Sequence, residues 1–216
     1  MKNLTDYIQE AFYAKVKDNV DQNLFKIVKS AISKLKFTDF IATKENDADR
    51  FEKQDANAEM ICNAYTGEEY KFLTAKQYYK ESTGKDADSL STSEWAKFDA
   101  KNGDIIIVDK DNKPVYHIDL KVGKDFFGAV SLASIVRFNK DGYYLCIKLA
   151  DKSFKLVSHK AVEELAEKGF LYEPNAKQTT TKELEWNGKK LSTTHFVKGL
   201  DIYKYIGWFE LTNDFH

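Results

Sequence analysis

The β-branched run Ile105-Ile106-Ile107-Val108 is the feature that most constrains what this chain can fold into. Four such residues in succession favour a strand buried on both faces. The polar stretch Asp109-Lys110-Asp111-Asn112-Lys113-Pro114 follows and carries turn chemistry. Residues 115–122 then read as a second strand, so the two segments predict an antiparallel hairpin. A lone hairpin is marginal in water and needs further strands and covering helices. The 216 residues, 43% hydrophobic with only 2 prolines, are enough for a single domain without a disulfide or metal staple.

The rest of the chain reads mostly as helix before the hairpin and as mixed elements after it. Leu4, Ile8, Phe12 and Val16 keep a helical step, and Leu24, Ile27, Val28, Ile32 and Leu35 repeat it, which predicts helix through 4–36. A short strand is expected around Phe40-Ile41, then a polar loop. Helices are expected over 56–66 and 68–82, the second stopped near Gly84. Ser91 or Ser93 is placed to cap a short helix carrying Trp95 and Phe98. Beyond the hairpin come a helix over 128–138, the turn Asn139-Lys140-Asp141-Gly142, an apolar strand over 143–149 and a helix over 159–168. The tail offers a hairpin at Trp186-Asn187-Gly188-Lys189 and an aromatic strand over 202–211.

Several function classes are disfavoured. No run approaches 18 apolar residues, so no transmembrane helix is expected. Acidic and polar residues stand at the N-terminus where a signal peptide needs an apolar run. Cys62 and Cys146 are far apart between apolar neighbours, which suits reduced, buried thiols in a cytoplasmic protein. The net charge is −1, but residues 110–160 hold ten basic side chains against five acidic ones. A basic segment in a neutral chain permits an anionic partner and equally suits a solvated surface.

Asp104 opens the first hairpin strand, and Asp119-Leu120-Lys121 lies in the second. The chain contains four acid-x-Lys triplets: Glu69-Lys71, Asp99-Lys101, Asp111-Lys113 and Asp119-Lys121. Only the last is embedded in a predicted interior strand. Period-2 alternation puts Asp119 and Lys121 on one face, with Ile118, Leu120 and Val122 on the other. Charges in such a strand are tolerated if they pair with each other, or if the face opens on a site. Asp104 lies across the hairpin, within reach of that face. Two converging carboxylates repel unless a cation intervenes, which points to a hard divalent metal. A nearby lysine is suited to orienting a water beside it.

Gly103-Asp104, fourteen residues, then Asp119-Leu120-Lys121 resembles the motif of the PD-(D/E)xK nuclease superfamily. The resemblance covers about residues 50–150, with a helix before the hairpin and a helix then a strand after it. Asn102-Gly103 stands where the family usually has proline before the first acid. The resemblance implies an α/β, restriction-endonuclease-like fold: a mixed central sheet flanked by helices. Residues 1–36 would form a helical element outside the nuclease core, for dimerisation or DNA clamping. Residues 151–216 would complete the sheet or contact DNA.

The implied activity is Mg2+-dependent hydrolysis of DNA phosphodiesters, with Mn2+ as a substitute, by a homodimer acting on double-stranded DNA. A type II restriction endonuclease is the leading expectation. A structure-specific, repair or phage-associated nuclease of the same fold is the alternative, and a non-catalytic nucleic-acid-binding module is the rival from another class. Asp104 and Asp119 would hold the metal, and Lys121 would position water and contact phosphate. The family often adds an acid on the preceding helix. Glu59 is the best match, against its reading as an exposed helix glutamate, with Glu68 and Glu69 behind it. Ser131, Ser134, Lys124, Arg137 and Lys140 are candidate DNA contacts. His117 alternates onto the face of Asp119, although a lone strand histidine is usually structural.

Overall fold

The computed structural model describes residues 21–43, 49–124, 130–150, 152–167, 171–172, 183–186, 188–192 and 196–197. Helix α1 (Gln22–Ile32) is started by Asp21, whose carboxylate accepts the Asn23 and Leu24 N–H groups. A 3₁₀ turn (Phe37–Asp39) leads towards α2 (Arg50–Ala64). Strand β1 (Lys71–Thr74) runs straight into α3 (Ala75–Thr83), with Thr74 as its capping residue and left-handed Gly84 closing it. Helix α4 (Thr92–Asn102) starts on the Ser91 capping box.

The hairpin follows as β2 (Ile105–Val108) and β3 (Pro114–Gly123), then α5 (Leu132–Arg137), β4 (Tyr143–Lys148), β5 (Ser153–Ser158) and α6 (His159–Glu167). Two further two-stranded pairs form. One joins β6 (Leu171–Tyr172) to β9 (Phe196–Val197), and the other joins β7 (Glu183–Trp186) to β8 (Lys189–Ser192).

Strands β1 to β5 form one mixed sheet in the order β1-β2-β3-β4-β5. Only the β3–β4 pair is parallel. A parallel neighbour requires a crossover, and α5 lies within it. Alternation along the strands divides the core. Ile105, Ile107, Ile118, Leu120, Val122, Leu145 and Ile147 pack with α1 and α2 on one face. Leu73, Ile106 and Val108 pack with Ala75, Tyr78 and Trp95 on the other. Among the described residues, no helix is long and apolar enough to cross a membrane.

Four expectations need correction. Helix α1 is not an appendage: Leu24, Val28, Ala31 and Ile32 are fully buried in the main core, and residues 4–20 lie outside the described residues. The helix expected over 68–82 is a strand and a helix, because Phe72 and Leu73 face opposite cores and so behave as strand residues. Phe40-Ile41 is not a strand; buried Asn57 clasps Ile41 through both its N–H and its carbonyl. The helix expected from 56 begins at Arg50. The predicted strand over 202–211 lies outside the described residues.

Because α1 is core, Ile32→Ala is expected to destabilise the protein by about 2–5 kcal/mol through cavity formation. Urea unfolding measures this. A loss below about 0.5 kcal/mol would instead mark Ile32 as a surface position.

Candidate active site

Asp104 is brought to the site by a specific backbone device. Gly103 ends α4 at φ 77° and ψ −173°, a conformation open essentially to glycine alone. The chain then turns directly into β2. The Asp104 N–H donates to the Ile118 carbonyl at 2.9 Å. Ile105 pairs with Ile118, so Asp104, one residue before it, also lies against Ile118 at the start of β2, near enough to Asp119 for the two carboxylates to repel. Lys121 sits two residues further along β3, on the same face as Asp119. Its Nζ lies 2.9 Å from Asp119 Oδ1 and 2.8 Å from Oδ2, with the two side chains 20% and 14% exposed.

The Asp104 carboxylate is surrounded by donors. Leu120 N–H reaches Oδ2 at 2.6 Å. Gln54, on α2, places Nε2 at 2.8 Å from both oxygens. Burial, then the Asp119 carboxylate, push the Asp104 carboxyl well above the ordinary 3.8. Burial opposes the charge on Lys121, yet Asp119 and Asp104 outweigh it and hold its pKa above 10.5. A further acid, Asp99 on α4, is pushed up to about 6 by burial, then by Asp119 and Asp55. Asp104, Asp119 and Asp99 are therefore gathered around the Lys121 ammonium, with Lys76 paired to Asp55 beside them, and the site is enclosed enough for mutual repulsion to be felt.

The structure thus brings Asp104, Asp119 and Lys121 together, as the motif implies. It does not bring Glu59 to them. Gln54, Ala58 and Ile61 share one face of α2, whereas Glu59 is turned roughly 140° from Gln54 at 100° per residue. Glu59 lines an open groove with Lys34, Leu35 and Met60. Glu68 and Glu69 cluster with Asp109 and Asp111 at the turn end of the hairpin, away from Asp104.

The remaining candidates divide. Ser131 caps α5 and its Oγ is engaged by Ser134, so these serines have a structural task at the helix start. Lys124, Arg137 and Lys140 are exposed. His117 rests against the Asn102 carbonyl at 3.1 Å, and burial lowers its pKa, which suits a structural histidine. Cys146 pairs in register with Lys121, but burial pushes its thiol up to about 12 and makes it a poor nucleophile.

Two members of the site were missed from sequence. Gln54 fell in a segment read as loop, because the helix start was placed at 56. Asp99 belongs to an acid-x-Lys triplet outside any predicted interior strand; its neighbours Trp95 and Phe98 on α4 were the available signal of a buried face.

The chemistry of the donors suits a hard cation. The available groups are carboxylate oxygens whose repulsion a divalent ion relieves. Among the described residues, no group of three or more His, Cys, Asp or Glu is arranged to hold a metal ion. Two carboxylates leave the other positions to water and substrate oxygens, which is how Mg2+ is commonly bound. No protein-family model, no curated protein and no solved structure matches the chain.

Proposed function

We propose that this protein is a metal-dependent DNA endonuclease with a restriction-endonuclease-like core, most like a type II restriction enzyme. The observation that carries this reading is the convergence of Asp104, Asp119 and Lys121 on one hairpin. The order α2, β1, α3, α4, β2, β3, α5, β4 around that hairpin supports it, since it sets helices before the motif and a helix then a strand after it.

Asp104 and Asp119 would hold Mg2+, or Mn2+ in its place. When bound, the ion supplies polarisation of the phosphodiester and neutralises charge on the leaving oxygen. Lys121 is protonated, so it donates hydrogen bonds: it holds a phosphate oxygen and orients the attacking water rather than removing a proton. Exposed Lys124, Arg137 and Lys140 in the basic segment supply backbone contacts to duplex DNA. Cutting both strands of a duplex calls for two such sites, so the active species is a homodimer.

Lys121→Ala separates chemistry from binding. It removes one phosphate contact of several, so duplex affinity should change little. Cleavage should fall by about 10²–10³-fold, the usual cost of losing a donor aimed at developing charge. Gel-shift and digestion assays on one protein preparation measure both. A parallel loss of binding and cleavage would reduce Lys121 to a general electrostatic contact.

A further inference from the structure

Gln54 enters the site from α2, and its placement defines how Asp104 can act. Its Nε2 lies 2.8 Å from Asp104 Oδ1, 2.8 Å from Oδ2 and 3.2 Å from the Leu120 carbonyl oxygen. A primary amide nitrogen carries two hydrogens, so three acceptors share two donors. The Leu120 N–H adds a donor on Oδ2 at 2.6 Å. A carboxylate offers about four lone-pair positions, two on each oxygen. Oδ2 receives the Leu120 N–H as well as a share of the Gln54 amide, whereas Oδ1 receives only a share of that amide. Oδ1 is therefore the less engaged oxygen.

We propose that Gln54 is a positioning residue of the metal site: it holds Asp104 so that Oδ1, the less engaged oxygen, is the one offered to a metal, and its neutrality keeps the anionic protein ligands at two. The inference rests on the nuclease reading of Asp104 and Asp119. An amide orients the carboxylate without adding ligand charge. A carboxylate at the same place would add charge against Asp104 and Asp119, a cost that only a bound cation offsets. Ligand charge count is a principal determinant of divalent-ion affinity. The chain's own choice of glutamine therefore makes metal binding weak until substrate phosphate arrives.

The test uses Mn2+ alone, titrated into the full chain without DNA, with free Mn2+ read by electron paramagnetic resonance. Wild type, Gln54→Glu, Gln54→Leu and Asp119→Asn are compared. Gln54→Glu is expected to bind Mn2+ about tenfold more tightly than wild type, and Gln54→Leu roughly threefold more weakly. Metal-free Gln54→Glu should melt below wild type and gain more from saturating Mn2+ than wild type does. A purely structural glutamine would lose affinity in both variants, so the gain in Gln54→Glu is the diagnostic. Weaker Mn2+ binding by Asp119→Asn, with Gln54→Glu folded and no tighter than wild type, would overturn the role of Gln54 and leave the metal site standing. Absence of Mn2+ binding by every protein at millimolar metal would overturn both.

Discussion

Asp104→Asn is expected to abolish DNA cleavage while making the metal-free protein more stable at neutral pH. On the proposed nuclease reading, the loss of activity follows from removing an oxygen that would hold the metal; about 10³-fold or more is expected for a group that stabilises developing charge. The gain in stability follows from the surroundings of Asp104. Burial and the nearby Asp119 hold its carboxyl well above 3.8, so ionising it opposes folding.

The direction with pH is fixed by linkage. The folded form keeps its proton to higher pH than the unfolded form does. Stability therefore falls as pH rises from the unfolded value near 3.8 to the raised folded value. Asp99 acts in the same sense between 3.8 and about 6. Asparagine at 104 lacks this penalty. The melting advantage of Asp104→Asn should be large at pH 8 and vanish as pH falls to about 4, where both proteins are neutral at this position. Thermal melts across that range check it. An advantage that persists unchanged at low pH would mean that repulsion is not what strains Asp104.

Gly103→Ala should be strongly destabilising. A Cβ at this position would lie 2.6 Å from the Ile118 carbonyl oxygen and 2.8 Å from its carbon. Those are backbone atoms of a central strand, and the same oxygen receives the Asp104 N–H. Neither can yield without breaking the β2–β3 register. The φ of 77° adds a second cost for any residue with a side chain. Together these amount to about 3 kcal/mol or more. A fall in melting temperature of roughly 6–12 °C is expected for a chain of this size. Cleavage should be lost as well, because Asp104 is the next residue. A melting temperature within about 2 °C of wild type would show that the α4–β2 junction relaxes freely.

The parts of this fold that were legible in sequence are those fixed by local pattern. Ile105-Ile106-Ile107-Val108 cannot be amphipathic, and it forms a strand buried on both faces. The apolar 143–149 segment became β4 for the same reason. Of the two serines expected to cap α4, Ser91 does so, in a reciprocal cap with Glu94. Asp119 and Lys121 were legible because charge inside a strand is costly.

What was not legible depends on tertiary context. Strand β1 is only four residues long and continues at once into α3, so a helical step appears to run through it. Helix α1 is amphipathic whether it is an appendage or a core element; only packing of Leu24 and Ile32 against the sheet decides. Glu59 drew attention as an acid beside an apolar face, but its position on the helix turns it towards the Lys34 groove. Gln54 carries no charge pattern at all, and its importance lies wholly in the atoms it meets.

Under the proposed function, Asp104, Asp119 and Lys121 act as one metal-dependent nuclease site. Digestion of plasmid and phage DNA by wild type and Asp119→Asn, with Mg2+, Mn2+ or Ca2+, tests it most directly. Wild type should cut with Mg2+ and Mn2+ but not with Ca2+, whose longer, looser coordination places the attacking water poorly. Asp119→Asn, folded by thermal melt, should not cut with any of them. Equal cutting by the two proteins, or no cutting of duplex, branched or single-stranded DNA by folded wild type with metal, would overturn the nuclease proposal.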